Sequence, residues 1–81
     1  MPVVLRFDGY RFYFFSNEGR PREPMHVHVR KAERVAKFWL EPEVRPAGSY
    51  RMKSAELFRL KRVIDENKEL IRRAWHEHFD R

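Results

Sequence analysis

The stretch Glu23–Arg30 reads EPMHVHVR, and the fold turns on how it is read. On a strand successive side chains alternate faces, so Val27 and Val29 point one way while His26, His28 and Arg30 point the other. The valines then belong to a core, and the histidines to a second surface. Carried outward with the same period, Phe12 and Phe14 join the valines, as do Ala36, Phe38 and Leu40. The opposite face presents Arg11, Tyr13, Phe15, His26, His28, Arg30, Lys37 and Trp39, in which cations interleave with rings.

Strand-like runs at Val3 to Arg6 and Tyr10 to Phe15 flank Asp8-Gly9, a pair that favours a tight hairpin. SNEGRPREP, from Ser16 to Pro24, carries one Gly, two Pro and mixed charge, which predicts a surface loop. Met25 to Arg30 and Val35 to Leu40 form a second pair of runs around Lys31 to Arg34. Four strands in up-and-down order are the simplest arrangement. The segment 41–53 has two prolines, a glycine and no clear period, so it reads as a connection.

Ser54 suits an N-cap, with Glu56 in the first turn, where the helix dipole favours an acid. Leu57, Leu60, Ile64, Ile71, Trp75 and Phe79 keep helical spacing, and Val63, Leu70 and Ala74 widen the stripe. Asn67 interrupts it. An unbroken helix over residues 54–79 would run ~39 Å at 1.5 Å per residue, too long for so small a domain. A bend at Asn67 is therefore expected. The whole reads as one α+β domain over 1–81: sheet in 1–40, connection in 41–53, helix in 54–79. A four-stranded antiparallel meander would be covered on one face by the C-terminal helix or bent helix pair.

A chain of 81 residues buries only about 60% of the surface its unfolded form exposes. Its core must therefore rely on large side chains, and seven Phe, three Tyr and two Trp supply them. The absence of cysteine excludes disulfides and thiolate zinc sites, and suits a reducing compartment. The start MPVVLRF has no apolar run of signal-peptide length, and no uncharged stretch approaches a membrane span. A cytoplasmic protein without membrane partners is expected. Net charge is +6, and residues 1–53 hold 11 basic and 6 acidic residues, a surplus of five, against 7 and 6 in residues 54–81. The excess lies in the first two-thirds of the chain, and attraction to nucleic acid or another polyanion is expected.

The order of motifs is also informative: SNEG at 16–19, E-P-x-H-V-H-V-R at 23–30, AKFWL at 36–40, Ser54-Ala55 and WHEHF at 75–79. In these the chain resembles the small bacterial family known as domain of unknown function 4160, over nearly its whole length. Members commonly carry a second proline just before the first histidine, where this chain has Met25. The resemblance implies no activity. It does imply a protein partner, because members are often found beside a second small protein in a pairing like that of a toxin and its antitoxin.

Four readings of the histidine face stay open. Its rings could cover a second small core beneath the Ser16–Pro24 loop, with the histidines hydrogen-bonded to loop carbonyls. They could stack unpaired bases while the cations meet phosphates, although no RNP-type, zinc-finger or KH motif accompanies them. His26 and His28 could both reach one metal ion, but a site needs a third ligand. His76 and His78 cannot chelate together, because residues two apart on a helix diverge by about 200 degrees; one of them could complete a site. Finally, His26, His28 and Arg30 supply the types needed for acid/base cleavage of a phosphodiester. A histidine-triad hydrolase is rejected, because Arg30 stands in the third histidine's place. No supporting carboxylate can be named, so the balance leans away from an enzyme, and no cofactor is expected. The expected function is a binding module of a toxin-antitoxin-like pair that engages a cognate small protein from a neighbouring gene, and RNA or DNA. The alternative is a histidine-dependent ribonuclease or other phosphodiester hydrolase.

Overall fold

The computed structural model describes residues 3–15 and 23–79. Five strands, β1 (Val3–Phe7), β2 (Tyr10–Tyr13), β3 (His26–Lys31), β4 (Arg34–Trp39) and β5 (Arg45–Tyr50), precede two helices, α1 (Ser54–Glu66) and α2 (Lys68–Phe79). The strands form one antiparallel sheet in chain order. The architecture is the expected α+β meander, but with five strands instead of four.

The additional strand lies inside the segment read as a connection. All six residues of β5 are exposed, and it contains Pro46 and Gly48, so no alternation of burial marks it. Its strand form is imposed by the free edge of β4, against which Val35 pairs with Tyr50 and Lys37 with Gly48. An edge position tolerates the proline, and a register shift beyond Lys37 accommodates it.

The first hairpin follows from Asp8-Gly9. Both residues have positive φ, 49° and 82°, as a two-residue turn matched to strand twist demands. Phe7 then faces Tyr10, and Arg6 faces Arg11. Lys31 Nζ donates to the Asp8 carbonyl at 2.9 Å, and Asp8 also pairs with Arg59 of α1.

Phe12, Val27, Val29 and Phe38 are fully buried on one face, together with Phe14 and Leu40. Leu60, Ile64, Ile71 and Trp75 from the helices close over them, also buried. Two expectations for the helical segment need correction. Leu70 remains 47% exposed, and Ser54 is the first residue of α1, not its cap. Lys53 occupies the cap position without a side-chain bond; its carbonyl accepts from Leu57 N–H at 3.0 Å. Glu56 instead ties α1 to the sheet, accepting from the Tyr10 hydroxyl and from Arg34 at 2.9 Å.

The helix bends at Asn67 as expected. Its carbonyl accepts from Ile71 N–H at 3.0 Å, starting α2, and its side-chain amide donates to Val63 O at 2.8 Å. The molecule is 35 Å along its longest axis, shorter than the ~39 Å an unbroken helix over 54–79 would need. No helix among the described residues is long and apolar enough to cross a membrane.

Candidate functional site

Cross-strand partners share a face, so the register defines what the helix-free side of the sheet displays. One row runs Arg6, Arg11, Arg30, Val35, Tyr50 across all five strands. The next runs Tyr13, His28, Lys37, Gly48, and a third brings His26, Trp39 and Arg45 together. Seven of the residues expected on this face therefore sit on it in register: Arg11, Tyr13, His26, His28, Arg30, Lys37 and Trp39. Phe15, just beyond β2, joins them through its ring, 4.5 Å from that of His28.

The face divides into two halves. At the His26 end the rings pack on one another. Tyr13 stacks on His28 at 5.5 Å and meets Phe15 edge-on at 5.4 Å, and His26 lies 5.7 Å from Trp39. Trp75 of α2 reaches the His26 ring at 5.2 Å, which closes this end. His26 is consequently fully buried and Tyr13 only 7% exposed. The alternation of MHVHVR is correct, and the burial of His26 favours, at this end, the reading in which the rings cover a second small core. Alternation sets which face a side chain takes, not what covers it. His26 Nδ1 lies 2.9 Å from the Pro24 carbonyl; since a carbonyl only accepts, Nδ1 carries the proton. Met25 is buried in the main core.

The other half is open and basic. Arg6, Arg11 and Arg30 are exposed and lie side by side on adjacent strands. Like charges placed directly opposite oppose folding. Among the described residues Arg6, Arg11, Arg30 and Arg45 form no ion pair, and the one carboxylate paired with a cation of this face is Glu23, 3.5 Å from Lys37 Nζ. The other loop carboxylate that could pair with Lys37, Glu18, lies outside the described residues. Lys37 also sits 4.5 Å over the Trp39 ring, a cation–π contact. Arg30 Nε donates to Ala32 O at 3.0 Å, which holds its guanidinium toward the β3–β4 turn.

Between the halves lies a shallow concavity of about 310 Å³ bounded by Tyr13, Phe15, His28, Val35, Lys37 and Gly48. The space beside Gly48 is open: a Cβ there would meet nothing within 4 Å.

Among the residues of this face that escaped the sequence reading are Arg6, Arg45 and Tyr50. Arg6 could have been found, because a two-residue Asp8-Gly9 turn fixes its pairing with Arg11. Arg45 and Tyr50 could not, because β5 carries no strand signature. The distant histidines do not join the pair: His76 is exposed, and His78 packs on Phe79 at 4.5 Å and Phe14 at 6.2 Å. Among the described residues no group of three or more His, Asp or Glu side chains is arranged to hold a metal ion.

Neither the curated proteins nor the solved structures contain a significant match to the chain. The profile of one family, described as Domain of unknown function (DUF4160), matches residues 9–76, a span from the first hairpin to the last turn of α2. The chain, with its helix-backed meander and its basic, ring-lined open face, belongs to that family.

Proposed function

We propose that this protein is a small bacterial cytoplasmic binding module, one member of a toxin-antitoxin-like pair, that engages a cognate protein from a neighbouring gene and binds single-stranded RNA or DNA across the open sheet face. The observation that carries the nucleic-acid reading is the row Arg6, Arg11, Arg30, which has no ion pair among the described residues. Three cations held side by side against their mutual repulsion suit a ligand that brings regularly spaced negative charge. The concavity over Gly48, flanked by Phe15 and Lys37, offers a place for an unpaired base beside that row. The protein partner rests on the family resemblance.

The hydrolase reading has less support. Acid/base cleavage needs both imidazoles within reach of one phosphodiester, and His26 is buried beneath Trp39 and Trp75 with Nδ1–H committed to Pro24 O.

Titration of a fluorescent 20-nucleotide oligouridylate against salt tests the proposal. Each phosphate contact on a single strand contributes a slope of about −0.7 in log K against log salt. The three arginines and Lys37 together give an expected slope of about −2 to −3. Absence of binding at low salt, or binding insensitive to salt, overturns the nucleic-acid reading. Absence of a complex with the neighbouring gene's product overturns the partnership.

A further inference from the structure

The edges of the sheet are treated differently. β1 is backed by α2, and its Val4 and Leu5 pack against the core. β5 is touched by α1 as β1 is by α2, but all six of its residues are exposed, and among the described residues nothing pairs with its outer side. An exposed edge presents unpaired N–H and C=O groups to any extended chain, and proteins usually blunt it with proline, bulges or charge. Here Pro46 and the register shift beside it blunt the first half. Gly48, Ser49 and Tyr50 carry no such protection.

The side chains beside this edge are equally unguarded. Tyr50 is 55% exposed on the open face, and Phe58 of α1 is 66% exposed on the other. Phe58 borders a concavity of about 290 Å³ with Pro46, Leu57 and Lys61. A strand laid along β5 would alternate its side chains between Tyr50 and the Phe58 hollow. The charge of the occupant follows from the surroundings. Residues 45–53 contain Arg45, Arg51 and Lys53 and no acid, and Arg62 lies further along α1. Of these cations Arg51 alone has an ion pair among the described residues, with the exposed Glu33.

We infer that β5 is a strand-addition site for an acidic, extended segment of a partner protein, with main-chain pairing at Gly48–Tyr50 and an apolar side chain seated against Phe58. A second copy of this chain is a poor occupant, because pairing β5 with itself would bring Arg45, Arg51 and Lys53 of both copies together. Strand addition reads an extended backbone first and alternate side chains second, so an acidic segment with apolar residues at every second position fits. The inference rests on the partnership proposed above and gives it a location away from the arginine row.

The test uses the intact protein, ¹⁵N-labelled, titrated with a ten-residue peptide that alternates Glu and Val around one central Phe. A second peptide has the same charge, with prolines in place of two valines. The first is expected to shift the amides of residues 47–50, and Phe58→Ser, a change at an exposed position whose folding the same amide spectrum checks, is expected to weaken it at least tenfold. The proline peptide is expected not to bind, because it cannot complete the ladder. Equal binding of both peptides, or shifts centred on Arg6, Arg11 and Arg30, would mean plain polyanion attraction and overturns the inference, as does no binding at all. A complex with the neighbouring gene's product that ignores Phe58→Ser also overturns it while leaving the partnership standing. Loss of that complex with Phe58→Ser, at unchanged oligouridylate affinity, supports it.

Discussion

Arg11 is the position at which the proposed function and the stability of the fold pull in opposite directions. It lies between Arg6 on β1 and Arg30 on β3, each directly opposite across a strand pair. Two unit charges roughly 6 Å apart in water repel by about 0.7 kcal/mol. A Debye length of ~8 Å at physiological salt reduces each pair to roughly 0.3 kcal/mol. Arg11→Gln removes two such pairs and should therefore stabilise the protein by about 0.6 kcal/mol, a rise of roughly 2–5 °C in Tm for a domain this small. At 1 M salt, where the screening length is only ~3 Å, the gain should nearly vanish. The same substitution removes one phosphate contact. The slope of log K against log salt should become shallower by about 0.7, and affinity at 50 mM salt should fall roughly 8-fold if the contact is neutral at 1 M. Urea denaturation and oligouridylate titration, each at several salt concentrations, measure the two halves, with Arg11→Lys as the control that keeps the charge. A variant less stable than the parent at low salt refutes the repulsion argument. One that binds RNA with unchanged slope refutes the assignment of the row to phosphates.

Other expectations follow from the closed end of the face and from the turns. His26→Ala should lower unfolding free energy by about 3 kcal/mol in chemical denaturation, since it empties a buried site and leaves the Pro24 carbonyl without its donor; the half-buried His28 should cost about 1 kcal/mol. A loss of function in His26→Ala should thus track loss of folded protein, not loss of turnover. The Tyr10 phenol is held above its ordinary pKa by burial first, then by its hydrogen bond to Glu56 and the charge of that carboxylate, with Arg34 and Arg59 opposing. Above pH ~10 the unfolded phenol ionises before the folded one. Its contribution is therefore full below that pH and lost as pH climbs through the folded-state pKa. Tyr10→Phe should flatten that part of the alkaline decline in a pH series of denaturation curves. Gly9→Ala should cost about 1–2 kcal/mol by the same assay, because φ is 82° and the new Cβ would lie 3.0 Å from Lys31 Cε.

Every element whose pattern is local is legible in the order of residues. Alternation in MHVHVR, the Asp8-Gly9 turn and the spaced apolar residues from Leu57 to Phe79 gave four strands, their order and the helical segment. Each reflects a preference of a few adjacent residues and survives in any context that buries one face. Asn67 belongs with them, because a polar residue on an apolar stripe together with a length limit predicts a bend. What tertiary structure decided depends on partners remote in the chain. β5 is a strand because β4 has an edge to satisfy, and nothing within residues 45–50 announces it. His26 is buried because Trp75, 49 positions later, folds against it, so a histidine pair identical in sequence spacing splits into one sealed ring and one half-open ring. The candidate face shows the same division. Its membership followed from period two, but its open half was settled by register, which placed Arg6 beside Arg11 and Arg30, and Gly48 beside Lys37.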